Sequence, residues 1–242
     1  LGEIQKFYQS YVNLESAILI VGGDVEYAEI TKELAELLEI LPVGKAVDIK
    51  EIKANEIPQT KRQIKETKQA YIYFGAPLEV RDLQKESAMI KVASFVLGGS
   101  GFGSRMMEEV RVKRGLAYSA VMRLEAGKTL SYAKGYLQTS LKNEKDAQKL
   151  VQQVVDEFVK NGITEQELQE AKQYLLGSEP LRNETLSQRL GNAFSNYYKG
   201  LPLDFNAQIL KDIQNLTLEQ VNHYIQSHKE ITKLTFSVVS AD

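Results

Sequence analysis

The chain of 242 residues contains no cysteine, only two histidines and only five prolines. Without cysteine there are no disulfides, thiolate metal sites or cysteine nucleophiles, and the redox compartment is left open. An excess of either charge is missing too: 30 Lys and Arg face 32 Asp and Glu, a net charge of -2. No basic field exists to draw in nucleic acid. The longest aliphatic run, Ala17 to Val21, falls far short of the roughly 20 residues that cross a bilayer, so no membrane span is expected. Position 1 is Leu, and neither a basic nor an apolar leader follows it; any targeting signal is out of sight, and a soluble chain in cytoplasm or periplasm fits equally. What remains, 43% hydrophobic and 26% charged residues, is the usage of an ordinary globular protein long enough for one large domain, or one domain and a fragment of another.

Most sites that could carry chemistry are excluded by their details. His223 and His228 lie five apart on an expected helix, which turns them roughly 140° from each other and prevents easy sharing of one ion. No His-x-x-Glu-His or His-Glu-x-x-His is present, so no metal is assigned to this chain. Both histidines are expected at the surface. A serine nucleophile elbow is missing as well. Gly98 to Gly103 has the spacing of a phosphate loop, but Ser104 and Arg105 stand where Lys and Ser or Thr are required. It reads as an interhelical loop needing positive φ, with contact to a substrate left open. Glu108 and Glu109 are adjacent on a helix and diverge into solvent.

Periodicity divides the rest. Ile4, Phe7, Tyr8 and Tyr11 mark a first helix, and Ala17–Val21 reads as a buried strand. A second helix carries Ile30, Leu34, Leu37 and Leu38. Two short strands are expected between 60 and 76, the second (Ala70 to Gly75) buried on both faces. Helices follow at 83–97 and 104–113, then a hairpin of strands 117–125 and 130–139 about the Gly127-Lys128 turn. Helices near 143–160, 164–178, 185–199, 203–214 and 217–228 fill the second half, and a strand at 233–239 ends it. Thr164 with Glu167 and Thr217 with Gln220 have capping-box spacing. Strands in runs and helices in runs predict an α+β fold, a mostly antiparallel sheet covered by helices on one side. Three segments result: 1–45 as a helix-strand-helix entry, 46–59 as a linker, and 60–242 as the main α+β domain. The plan of Phe7 to Asp24 returns at His223 to Asp242, an echo that reads 1–45 as closing a preceding half.

One stretch stays two-sided: Gly103-Ser-Arg-Met-Met-Glu-Glu-Val-Arg111-Val-Lys-Arg-Gly-Leu-Ala-Tyr118-Ser. Arg111 in a last helical turn suits the dipole, Gly115 suits a cap, and Tyr118 opens a strand as part of the core. The same placement sets a fork of permanent donors beside a phenol at one end of the sheet, which suits a carbonyl oxygen gaining negative charge. The residues leave that choice open.

Phe7-Tyr8 with Tyr11, Ile18 through Gly22-Gly23-Asp24-Val25, Leu97-Gly98 through Gly103-Ser104-Arg105-Met106, and above all Glu109-Val110-Arg111 with Arg114-Gly115-Leu116-Ala117-Tyr118-Ser119 resemble the pitrilysin, insulinase and mitochondrial processing peptidase family. The likeness is to its second, zinc-less half and spans nearly the whole chain. It implies a LuxS/MPP-like metallohydrolase half within a clam-shell. Zinc is then held only by a partner half, in the same polypeptide or a separate subunit. In that arrangement the zinc polarises the scissile carbonyl of an extended peptide substrate, while Arg111 and Tyr118 bond the carbonyl or its oxyanion. Gly99, Gly101, Phe102 and Gly103 would border the chamber. Alone, the chain is expected to be inactive. A bacterial source, a homodimer of the fragment, and a purely structural role in an assembly of the same superfamily are carried beside that reading.

Overall fold

The computed structural model describes residues 1–101 and 103–241, with Leu37 described for its backbone alone. Helices α1 (Gly2–Tyr11) and α2 (Tyr27–Leu38) come first, then strands β1 (Thr60–Ile64) and β2 (Gln69–Pro77). Helix α3 (Leu83–Ser94) widens into a π-turn at Phe95–Gly99, and α4 (Arg105–Met107) widens into another at Glu108–Val112. Strands β3 (Ala117–Glu125) and β4 (Tyr132–Ser140) form the expected hairpin. Helices α5 (Glu144–Asn161), α6 (Glu165–Gly177), α7 (Glu179–Arg182), α8 (Leu186–Tyr198), α9 (Phe205–Asn215) and α10 (Leu218–Ser227) lead to β5 (Thr235–Ser240). Two compact units result, one of 1–50 with 180–204 and one of 51–179 with 205–241.

The second unit holds the sheet, in the order β1-β5-β2-β4-β3, with β1 parallel to β5 and the other pairs antiparallel. Each central strand alternates. Ile72, Phe74, Leu137, Met122 and Val238 are buried toward the helices, where α3 and α5 cover them with Val92, Val151, Val155 and Phe158. β2 does not bury both faces as expected: Tyr71, Tyr73 and Gly75 point to the uncovered side, and Tyr73 is 54% exposed. A sheet with helices on one side leaves every second residue near water, and a phenol tolerates that position because its ring packs while its hydroxyl stays wet.

Edges and ends are closed by specific contacts. On β3, Gly98 of the first π-turn lies against the backbone of Met122, so close that a Cβ there would meet the Met122 nitrogen at 2.4 Å. Beside it the Leu124 N–H, which points away from β4, donates to Ser94 Oγ at 3.0 Å. Over Met122 to Leu124 the edge that would invite another strand is thereby occupied. Both expected capping boxes form, and a third, Thr185 with Gln188, starts α8. After α5, Gly162 turns with φ +68°, and Asn222 on α10 clamps the next peptide, accepting from Ile163 N–H at 2.7 Å and donating to its carbonyl at 3.0 Å. Residues 51–59 lack regular structure but are tied in, Ile52 N–H to the Thr129 carbonyl at 2.7 Å and Phe236 N–H to that of Gln59 at 2.8 Å.

The first unit is built differently. Ala17–Val21, expected as a buried strand, is extended but joins no ladder, and Leu19 is 50% exposed. All five strands of the sheet lie at Thr60 or beyond, so the run's length and apolarity make it strand-like without giving it a neighbour. Helix α1 likewise presents Ile4, Phe7, Tyr8 and Tyr11 outward, Phe7 at 64% exposure. Within the unit, Gly22 packs on Leu190 and Leu186 of α8, and buried Asn13 receives the Ser16 N–H at 3.0 Å.

Candidate active site

Arg111 sits in the π-turn Glu108–Val112, whose end is closed by Gly115 at φ +60°. The Gly115 N–H donates to the Arg111 carbonyl at 3.0 Å, and Leu116 N–H to that of Val110 at 2.9 Å. These bonds satisfy the last turn's carbonyls and reverse the chain straight into β3, a job for a residue free of a Cβ. Tyr118 is the next residue but one on that strand. The reversal brings the two side chains together: the Arg111 guanidinium carbon lies 4.4 Å from the centre of the Tyr118 ring, within cation–π range. Tyr118 is 81% exposed, which removes the alternative that it serves as core. The pair lies at one end of β3, the half-buried guanidinium against the exposed phenol, beside a cavity of about 200 Å³ lined by Tyr118, Ser119, Tyr136 and Gln138.

The neighbouring carboxylate of Glu109 is engaged. Glu109 bonds Lys113 at 2.6 Å and also Arg114. The hydrogen bond from Lys113 is the chief reason its carboxyl is held below the usual range; Arg114 adds to it against a modest upward push from burial.

The glycine loop lies at the far end of the same helical stretch. Gly99 ends the first π-turn, and Gly101 and Gly103 have φ of +71° and +91°, conformations that favour glycine. Buried Ser104 caps α4, its hydroxyl donating to the Gly101 carbonyl at 2.8 Å and accepting from Met107 N–H at 3.4 Å. Phe102 lies outside the described residues. Gly103 borders a second cavity of about 290 Å³ with Arg105, Glu108 and Lys113. At 1.5 Å per residue or less, Gly103 and Arg111 are roughly 10 Å apart along the axis. The structure thus joins Arg111 to Tyr118 and leaves the glycines apart from them.

Among the described residues, no three of His, Asp and Glu come close enough to hold a metal. His223 is exposed, as expected, whereas His228 is mostly buried against the Tyr224 ring at 4.2 Å with Nδ1 2.7 Å from Glu230. That correction follows from the turn after α10, which folds Glu230 back beneath the helix end. Burial pushes Glu230 up, but the bonds from His228 and the Glu79 N–H outweigh it and leave the carboxyl below its ordinary range.

Two features were not read from the sequence. The π-turns flank the glycine loop on both sides, and such turns concentrate at functional sites; Gly98-Gly99 at the first is the only hint. The outward tyrosines of β2 and β4 were hidden by their apolar neighbours.

Residues 1–175 match the model of a protein family described as the peptidase M16 inactive domain. The chain belongs to that family. The M16 chain is 43% identical over 240 residues to the "Non-peptidase homolog YmxG" of Helicobacter pylori, covering 99% of this chain and 55% of that protein. It is 24% identical over 223 residues to the "Uncharacterized zinc protease YmxG" of Bacillus subtilis, covering 90% and 53%. It thus spans about half the length of the curated relatives it matches. Among solved structures, a peptidase M16 inactive domain from Pseudomonas fluorescens aligns over 100% of this chain and 57% of its own at a TM-score of 0.87 and 24% identity. A protease from Helicobacter pylori aligns over 99% and 59% at 0.79 and 19%. At those identities they show the fold, and it is the α+β fold expected.

Proposed function

We propose that this chain is the zinc-less half of a metallopeptidase clam-shell, contributing Arg111 and Tyr118 to hydrolysis of an extended peptide. The observation that carries the reading is the meeting of the two side chains, a half-buried guanidinium 4.4 Å from a phenol ring that is 81% exposed. Stacking holds both side chains in place before substrate arrives, so little ordering remains to be done when a carbonyl oxygen gains charge. Arg111 offers fixed N–H donors and Tyr118 one O–H donor; neither moves a proton. The metal and the attacking water belong to the other half, since this chain's residues do not fit a zinc ion.

The exposed apolar faces of α1 and Ala17–Val21 support a companion reading, that residues 1–45 close a neighbouring half, with 46–59 as the connection to the domain 60–242. Exposed apolar surface of that extent marks an interface. A relative named as a non-peptidase, at 43% identity, favours a zinc-bearing half supplied by a separate subunit. The glycine loop is kept as a rim of the substrate chamber through Gly101 and Gly103.

The test is reconstitution with a zinc-bearing M16 subunit and a quenched fluorescent peptide. Arg111→Ala and Tyr118→Phe each lower kcat about a hundredfold, the loss of one oxyanion donor at about 3 kcal/mol, with KM little changed. Activity equal to the parent in both variants refutes the assignment. The second reading is a non-catalytic assembly role, favoured by that same relative's name; it predicts a stable complex in which no variant alters hydrolysis.

A further inference from the structure

Side chains on the uncovered face of the sheet stand in rows set by the register. Ser237, Tyr73, Tyr136 and Val121 form one row, and Thr235, Gly75, Lys134 and Arg123 the next. Tyr73 and Tyr136 pack with ring centres 5.0 Å apart and make a wall. Gly75 has no side chain and Thr235 a short one, so the face sinks beyond that wall until Tyr132 rises on the other side. Ala54 and Asn55, in the strap 51–59, border the hollow. The result is a cavity of about 770 Å³, a volume that takes several side chains.

Its charge is one-sided. Lys134 bonds Glu125 at 3.0 Å, and Glu125 also accepts from the Tyr132 hydroxyl at 2.9 Å. Arg123 also acts on that carboxylate, at longer range. Arg123, opposite Lys134 across the β3–β4 ladder, makes no ion pair among the described residues and is exposed. Two cations thus face one carboxylate at the edge of an aromatic trough.

We infer that this trough binds an extended polypeptide segment in which an aromatic or large aliphatic side chain is flanked by carboxylates. The apolar side chain fills the space over Gly75 between the tyrosines, and the carboxylate pairs with Arg123. Tyr136 lines both this trough and the cavity beside Tyr118. From Arg123 to Tyr118 is five strand residues, about 17 Å, a distance that about five residues of extended peptide cover. A substrate held at Arg111 and Tyr118 therefore reaches the trough with a neighbouring part of its own length. The inference rests on the proposed function for the polypeptide nature of the ligand, but it is tested by binding and not by hydrolysis.

The probes are two fluorescein-labelled short peptides, one with a single phenylalanine flanked by aspartates and one with it flanked by lysines, titrated with the full-length protein at low salt and followed by anisotropy. The acidic peptide binds about tenfold tighter than the basic one, and Arg123→Glu reverses that order. Ser237→Trp, at an exposed strand position that accepts an aromatic residue, fills the trough and weakens both by about tenfold or more. Both probes are read by binding without hydrolysis, so loss of activity in Arg111→Ala or Tyr118→Phe leaves this outcome untouched. No binding, equal affinity for the two peptides, or indifference to Arg123→Glu overturns the inference. So does a dimer of the protein that Ser237→Trp disperses, since the trough's occupant is then a second copy.

Discussion

Replacing Glu167 tests how the helix after the glycine loop is anchored. Its carboxylate accepts from Arg105 Nε and Nη2, both at 2.7 Å, and from the Thr164 N–H at 2.7 Å, so one side chain completes a bidentate ion pair and a capping box. Both partners are under a quarter exposed, and the Arg105 guanidinium lies 5.5 Å from the Phe158 ring. In Glu167→Gln the amide can still accept from Thr164, but it turns a donor toward Arg105. One charge-assisted bond is lost, about 1.5–2 kcal/mol after allowance for partial exposure. Glu167→Ala removes the cap bond as well, adding about 1 kcal/mol for a total near 3 kcal/mol. Arg105→Met keeps the stem over Phe158, so a double-mutant cycle with Glu167→Gln isolates the pair and returns a coupling of about 1.5 kcal/mol. Urea unfolding followed by circular dichroism reads each value. Burial pushes the Glu167 carboxyl up, yet the bonds from Arg105 and Thr164 outweigh it and set its folded pKa below the ordinary 4.5. The pair's contribution is therefore complete above the unfolded value and fades as pH falls through the lowered folded one. The gap between parent and Glu167→Gln is constant from pH 7 to pH 5 and narrows below pH 4.5. A gap that widens on acidification, or a coupling indistinguishable from zero, refutes the reasoning.

Three further outcomes are expected. Gly98→Ala places a methyl 2.4 Å from the Met122 nitrogen and lowers stability by at least 2 kcal/mol, seen as a reduced urea midpoint at unchanged slope; equal midpoints would show that the π-turn moves freely. Asn222→Ala frees both polar groups of Ile163 and costs about 2–3 kcal/mol in the same assay. Arg62→Met leaves buried Glu144 without its 3.0 Å partner and costs about 1–2 kcal/mol, tempered by the exposure of Arg62.

Much of the fold was legible because its signals are local. The strand expected at 117–125 is β3, Ala117–Glu125, and the helix starts at Thr164 and Thr217 sit at their capping boxes. What escaped depends on contacts between distant residues. Nothing in Tyr71-Ile-Tyr73 says which side the helices cover, so a half-open strand resembles a buried one. Ala17–Val21 has strand composition, but whether a strand lies beside it is not a property of the run. The π-turns leave no period in the sequence; the close approach of Gly98 to Met122 becomes visible only once β3 is in place. Of the candidate residues, the placement of Arg111 at a helix end and Tyr118 at a strand start suggested a meeting, whereas the 4.4 Å approach required knowing that Gly115 reverses the chain at once. The glycines, contiguous with that helix in sequence, are separated from Arg111 by its length.

The contacts of Ser94 and Gly98 close the Met122–Leu124 stretch of β3 to another strand and leave the whole of β1 open to one. A strand that enlarges the sheet there arrives at β1, four interstrand spacings from Tyr118 in the order β1-β5-β2-β4-β3, or about 19 Å away. Recruitment of a neighbouring chain and access to the Arg111 and Tyr118 end are then geometrically independent. On the proposed function, a polypeptide at that end is held through its side chains and carbonyl oxygens, and it leaves without a strand being peeled from the sheet.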